Sequence, residues 1–148
     1  MLLVEDDLGW SQARVQPLRP VRPPRVYEVT GTAAWVELVE RYPLEVTFSR
    51  RHDWWRTSRH SGRWFIPDWL AVAADHDAVH LTVAAYLATP GRALAVEGGA
   101  TLVAGWDPDA TYWLTDVLTA DGEPLTWERC DDDGTQRWRP AGAVADGG

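Results

Sequence analysis

The residues best suited to chemistry lie in one basic run between Phe48 and Phe65. This run contains five arginines and two histidines, against a single acid, and it includes two adjacent tryptophans. Guanidinium groups donate forked hydrogen bonds to phosphate or carboxylate, and indole faces can stack a base or a sugar. The pattern therefore predicts a segment that binds a ligand or a partner. The candidate residues are Arg50, Arg51, His52, Trp54, Trp55, Arg56, Arg59, His60 and Arg63.

The same charges have a second interpretation that involves no ligand. The chain carries a net charge of −8, and residues 12–25 and 48–64 each contribute +4, which leaves −16 on the remainder. The arginines could therefore neutralise nearby carboxylates through surface ion pairs, each worth ~0–1 kcal/mol. A binding site and a solvated basic loop both stay open on the sequence alone.

Other residues of reactive type do not combine into a motif that indicates a reaction. The run from Asp75 to His80 contains metal-ligating side chains, but His76 is predicted to end a helix and His80 to lie in a strand. No second cluster supplies the remaining ligands, so no metal site is predicted, and His80 is expected to be a hydrogen-bonded sheet residue. Cys130 precedes three aspartates, which favours an inert thiol. No phosphate-binding glycine loop or nucleophile elbow is present, and no cofactor is predicted.

Composition and charge limit the class of protein and of partner. The chain of 148 residues is 45% hydrophobic and has ten tryptophans, enough for one core. No apolar run approaches the ~18 residues of a membrane span, and no export signal is recognised. One cysteine agrees with a reducing compartment, so a cytoplasmic location is expected. The negative net charge disfavours duplex nucleic acid and membranes, whereas a basic island suits a protein partner or a small anionic ligand.

The first half of the chain predicts an arm followed by helices. Residues 1–24 contain prolines among arginines and are predicted to form an extended arm. Trp35, Leu38, Val39 and Tyr42 recur with helical spacing, which predicts a first helix. Residues 44–48 alternate as a strand does, residues 49–64 fit neither period and are predicted to be a long loop, and a second helix is expected to begin at Pro67-Asp68.

The second half predicts a series of antiparallel strands. Strands are expected over residues 79–83 and 93–97, followed by one hairpin of 101–106 with 111–118 and another of 125–130 with 136–139. Residues 25–140 are predicted to form a single domain, and residues 141–148 a flexible tail. The expected fold class is α+β, with two helices packed on a curved antiparallel sheet or partial barrel of about six to eight short strands.

One set of short strings resembles a known pattern. These strings are Pro67-Asp68-Trp69, Asp77-Ala78-Val79-His80-Leu81-Thr82, Tyr86-Leu87, Gly105-Trp106 and Thr111-Tyr112-Trp113-Leu114. Together they resemble a small uncharacterised actinobacterial protein family over residues 25–118. The resemblance implies no activity, cofactor or catalytic residue.

Two functions are consistent with these observations. The favoured one is a non-catalytic binding protein, an immunity-like or regulatory module that presents acidic and Trp-rich surfaces to a protein partner. The alternative is a domain or enzyme that handles a nucleotide or another phosphate ligand through residues 48–64, with His52 or His60 transferring a proton.

Overall fold

The computed structural model describes residues 9–132 and 134–142, and the chain divides into two compact units. We call residues 23–117 the central unit, and residues 1–22 together with 118–148 the terminal unit. Residues 1–8 of the predicted arm, Asp133 in the predicted final turn and residues 143–148 of the predicted tail lie outside the described residues. Each unit is considered by itself below.

Twelve strands and four helices occur within the described residues. In chain order they are β1 (Gln12–Val15), β2 (Leu18–Pro20), β3 (Val26–Val29), α1 (Thr32–Arg41), β4 (Pro43–Glu45), α2 (Thr47–Ser58), β5 (Phe65–Pro67), α3 (Trp69–Asp75), β6 (Ala78–Leu81), α4 (Val83–Ala88), β7 (Leu94–Val96), β8 (Gly99–Thr101), β9 (Ala110–Trp113), β10 (Leu118–Ala120), β11 (Leu125–Asp132) and β12 (Thr135–Pro140). The fold is therefore mixed α and β, as the sequence predicted at the coarse level.

The predicted arrangement of two helices on one curved sheet is wrong. Across residues 9–132 and 134–142 the strands form five small sheets and no closed barrel, and there are four helices. The largest sheet of the central unit has the order β3-β6-β9, with β3 parallel to β6 and β9 antiparallel to it. The parallel pair was not predicted, because a parallel pairing joins distant segments and leaves no local turn signal in the sequence.

The main core lies on one face of the β3-β6-β9 sheet. Alternation along β3 and β6 places Val29, Val79 and Leu81 on this face, and all three are fully buried. Three helices cover the face: α1 contributes Trp35, Leu38 and Val39, α3 contributes Val72, and α4 contributes Ala85. The opposite face of the sheet contains more polar positions, including Glu28, His80 and Thr111.

Two of the four helices follow the sequence prediction. In α1 the predicted stripe of Trp35, Leu38 and Val39 is buried, and the helix ends at Arg41, two residues before Pro43. The Asp68 carboxylate caps α3 by accepting hydrogen bonds from the backbone N–H groups of Leu70 and Ala71. These helices were predictable because cap, stripe and stop signal lie close together in sequence.

Three local predictions in the central unit are wrong. Residues 47–58 form α2 instead of strand and loop, so the strand predicted over 44–48 ends as β4 at Glu45. Residues 83–88 form α4, whose first turn is capped by the Thr82 hydroxyl, so the strand predicted over 79–83 ends at Leu81. The hairpin of 101–106 with 111–118 does not form, because β8 pairs with β7 and β9 pairs with β6.

The terminal unit consists of two antiparallel sheets, β1-β11-β12 and β2-β10. The β11–β12 hairpin was predicted and is confirmed, and its turn is fixed where the Asp131 carboxylate accepts a hydrogen bond from the backbone N–H of Gly134. The segment predicted as an arm supplies β1 and β2. In neither unit is any described helix long and apolar enough to cross a membrane.

Candidate functional site

Helix α2, which carries most of the predicted binding residues, lies in the connection between the antiparallel strands β4 and β5, and its start is anchored to residues next to both strands. The Val46 backbone N–H donates to the Trp64 carbonyl at 2.8 Å. The Thr47 hydroxyl accepts from the Trp64 backbone N–H at 2.9 Å and donates to Glu45 at 2.8 Å. The Arg63 guanidinium donates to the other oxygen of the same carboxylate. The first turn of α2 is thus tied to β4 and to the residues that lead into β5.

The Arg63 side chain is already engaged in contacts within the protein, so its guanidinium is not available to a ligand. Its hydrogen bond to Glu45, together with the one from Thr47, lowers the pKa of the Glu45 carboxyl to about 2. The same bond raises the pKa of the Arg63 guanidinium, which also lies 5.0 Å from the centre of the Phe65 ring. Arg63 therefore ties the residues that lead into β5 to the end of β4, and its charge is matched by a carboxylate.

One side of α2 is fixed to a small second core through Trp54. The Trp54 ring meets the fully buried Trp64 ring edge-on, with centres 5.2 Å apart. Trp64 packs with Ala100 and Leu102. The centre of the His60 ring lies 5.0 Å from the centre of the Trp64 ring. Trp54 and His60, two of the predicted binding residues, therefore serve packing.

The opposite side of α2 carries an exposed aromatic and basic stripe. At 100° per residue, Phe48, His52, Trp55 and Arg56 fall on the side of the helix away from Trp54. The Phe48 side chain is fully exposed, and Trp55 is 42% exposed. Arg59 follows the helix in a left-handed conformation, and its guanidinium lies 5.1 Å from the Trp55 ring centre. We call these five residues the outward stripe of α2.

The helix divides the remaining arginines between its sides. Around the helix axis Arg50 lies about 40° from Trp54, Arg51 lies about 60° from Trp54 and about 40° from Trp55, and Arg56 lies on the far side from Trp54. All three are exposed, and no ion pair to any of them is found within residues 9–132 and 134–142. The nine predicted residues therefore divide into the outward stripe, the two arginines on either side of Trp54, and a packing or anchoring group. The two arginines are Arg50, on the side away from Trp55, and Arg51, one helical turn before Trp55. The packing or anchoring group is Trp54, His60 and Arg63.

A polar cluster that sequence reasoning missed lies on the open face of the β3-β6-β9 sheet. The His80 ring stands between two carboxylates, with Nδ1 3.1 Å from Glu28 and Nε2 3.2 Å from Asp109. Both nitrogens can donate only when the imidazole is protonated. The two carboxylates face opposite edges of the ring and do not converge on one point, and the described residues contain no group of three side chains suited to a metal ion. The prediction that His80 is a hydrogen-bonded sheet residue is confirmed, although its partners depend on a strand pairing that the sequence does not reveal.

A second polar cluster joins the end of α1 to the end of α3. The Tyr42 hydroxyl donates to Asp75, and the Arg41 guanidinium lies 3.4 Å from the same carboxylate oxygen. The hydrogen bond raises the pKa of the Tyr42 hydroxyl and lowers the pKa of the Asp75 carboxyl. The cluster therefore stabilises the charged carboxylate and ties two helix ends together.

The groups described above differ in how far their polar atoms already contact other groups of the protein. Comparison with protein-family models, with curated proteins and with solved structures finds no match. The outward stripe combines two exposed rings with two guanidinium groups and an imidazole, a set suited to a partner that presents both apolar and negatively charged groups. In the other two clusters the polar side chains already form hydrogen bonds or ion pairs with one another.

Proposed function

We propose that the protein is a non-catalytic binding module, of regulatory or immunity-like kind, that docks α2 onto an acidic and partly apolar surface of a partner protein. One observation carries the proposal: α2 is a twelve-residue helix with no buried residue, and its outward stripe exposes Phe48 and Trp55 beside Arg56. The proposal includes a cytoplasmic location, which a single cysteine favours.

The spacing of the stripe suits recognition of a helix by a groove. Phe48, His52 and Trp55 follow the i, i+4 and i+7 positions that anchor helices in partner grooves. Tryptophan and arginine are the side chains most often responsible for binding energy at protein interfaces. Because Trp54 and the Glu45–Thr47 contacts hold α2 in place, little conformational entropy is lost when the stripe is bound.

Charge determines the kind of surface that fits. Arg56 and Arg59 lie on the stripe and Arg51 lies one helical turn before Trp55, so a partner surface of protein size meets more of these cations than a single phosphate does. Arg50 lies on the side of the helix away from Trp55. The net charge of −8 repels anions at long range, but screening limits that repulsion to ~8 Å at physiological salt. Close contact with acidic side chains is therefore attractive and salt-dependent.

The first experiment measures binding of a defined acidic probe. A fluorescein-labelled peptide of repeating Glu-Glu-Leu units is titrated with the full chain, and fluorescence anisotropy reports the affinity. Trp55→Ala is expected to lower the affinity about tenfold or more, since it removes a central aromatic anchor. Arg56→Glu is expected to lower it several-fold. Arg50→Glu makes the same charge change on the other side of the same helix, and its effect should stay within about twofold.

The outcomes separate the proposal from its competitors. The proposal is wrong if the acidic peptide does not bind at low salt, or if Arg50→Glu weakens binding as much as Arg56→Glu does. Binding of a Lys-Lys-Leu peptide that Trp55→Ala weakens to the same extent would also contradict it. Thermal stabilisation by inorganic phosphate or ATP without peptide binding would support the phosphate-handling alternative instead. Trp55-dependent binding to phosphatidylserine vesicles would assign the stripe to a membrane surface.

A further inference from the structure

A groove on the central unit has the opposite chemical character to α2. It has a volume of about 340 Å³, within the size range of small-ligand sites. Val39 of α1, Phe65 of β5 and Val96 of β7 form an apolar floor. The Glu97-Gly98 turn between β7 and β8 forms part of the rim. Gly98 has a φ of 78°, a backbone conformation that favours glycine, and glycine has no side chain to cover the floor.

The rim of this groove carries unmatched negative charge. The Glu40 carboxylate is held in place because it accepts a hydrogen bond from the Glu97 backbone N–H at 3.1 Å. Glu97 itself is exposed, and no ion pair to Glu40 or Glu97 is found among the residues that the structure describes. The one cation at the rim, Arg63, is already paired with Glu45. Two carboxylates thus face solvent above an apolar floor.

We propose that this groove binds the side chain of an arginine presented by a partner protein. An arginine side chain joins an apolar stem of three methylene groups to a planar cation, so the stem covers Pro43 and Val96 while the guanidinium donates to Glu40 and Glu97. Charge-assisted hydrogen bonds of this kind are shorter and stronger than those between neutral groups. The acidic remainder of the chain attracts a basic partner toward the groove.

The groove is proposed to bind a positive charge and α2 a negatively charged surface, so each proposal can be tested without the other. The groove does not include any residue of the outward stripe. A variant of Glu97 is therefore expected to leave binding of the acidic peptide intact, and a variant of Arg56 to leave the groove intact.

The test uses a small arginine probe and its neutral isostere. The full chain, labelled with ¹⁵N, is titrated with N-acetyl-arginine amide and separately with N-acetyl-citrulline amide, which has nearly the same shape without the charge. Arginine is expected to shift the amide signals of Glu97 and Gly98 in a saturable manner, and citrulline to bind about tenfold more weakly. Glu97→Gln and Glu40→Gln should each weaken arginine binding several-fold, whereas Glu123→Gln, in the terminal unit, should not.

Two results would overturn the proposal. One is equal binding of citrulline and arginine, since the carboxylates would then contribute nothing. The other is a set of shifts spread over many acidic residues without saturation, which would indicate general attraction of cations. Glu40→Gln keeps an oxygen that can accept from the Glu97 backbone N–H, so an unchanged melting temperature for this variant shows that any loss of binding comes from the charge.

Discussion

The central unit contains two buried hydrophobic clusters, whereas none of the residues described in the terminal unit is buried. Both units have regular hydrogen-bonded strands. In the central unit the β3-β6-β9 sheet is covered on one face by three helices. In the terminal unit, β11 pairs with both β1 and β12, yet Val15 and Leu125, which lie opposite each other, are exposed.

This difference separates two contributions to the structure, which are backbone hydrogen bonding between strands and burial of side chains. Alternation along β1 and β11 places Ala13, Val15, Leu125 and Trp127 on one face, and that pattern is what the core face of a sheet normally has. Both units contain paired strands, but among the residues that the structure describes only those of the central unit include fully buried large side chains. Side-chain burial is therefore expected to dominate its free energy of unfolding.

The largest expected effect comes from truncating a core residue of the central unit. Leu38 is fully buried on α1, so Leu38→Ala should lower the free energy of unfolding by about 2–5 kcal/mol through lost burial and a cavity. Leu125→Ala, a matched change at an exposed position of the terminal unit, should cost less than about 1 kcal/mol. Urea unfolding followed by circular dichroism measures both, and equal losses would remove the contrast between the units.

A smaller effect is expected from a buried carboxylate. Asp77 is fully buried and accepts hydrogen bonds from the Arg25 backbone N–H at 2.8 Å and from the Thr115 hydroxyl at 2.9 Å. Asp77→Asn replaces one acceptor oxygen with a donor, which should cost about 1–3 kcal/mol. Asp121→Asn in the terminal unit disturbs only an exposed ion pair with Arg19, worth ~0–1 kcal/mol. Thermal unfolding measures the stability of both variants. A larger loss of stability for Asp121→Asn than for Asp77→Asn would contradict the expected difference between the two units.

The smallest expected effect depends on pH and concerns Glu45. Its carboxyl has a pKa of about 2 in the folded protein, against 4.5 ordinarily. The stabilising contribution of this carboxylate is thus fully present above pH 4.5 and is lost as the pH falls toward 2. Glu45→Gln should lower the melting temperature near neutral pH and approach the unchanged protein at low pH. The melting temperature of Glu123→Gln should equal that of the unchanged protein at every pH. A melting-temperature difference for Glu45→Gln that does not change with pH would contradict the lowered pKa of Glu45.

Local signals predicted the elements that need no distant partner. The stripe of Trp35, Leu38 and Val39 and the Asp68 cap predicted α1 and the start of α3, and the turn before Gly134 predicted the β11–β12 hairpin. In each case the determining residues lie within a few positions of one another.

Helix α2 was not predicted because its sequence lacks a stripe of apolar residues, with helical spacing, that would pack against a core. Only Trp54 packs against a hydrophobic cluster, so the apolar periodicity that normally identifies a helix is absent. The contacts that hold the helix come from elsewhere, from Glu45 before it and Trp64 after it. The spacing of Phe48, His52 and Trp55 was the one available signal, and it describes the solvent side.

The amino-acid sequence by itself determined the residue types available for binding, the segregation of charge and those elements whose signals are local, because these properties belong to neighbouring residues. Only the tertiary structure decided that Trp54 packs against Trp64, that Glu45 neutralises Arg63, and that Glu28 and Asp109 meet at His80. Those relations join segments far apart in the chain, where the strand pairing and core packing, rather than local spacing, set the distances between side chains.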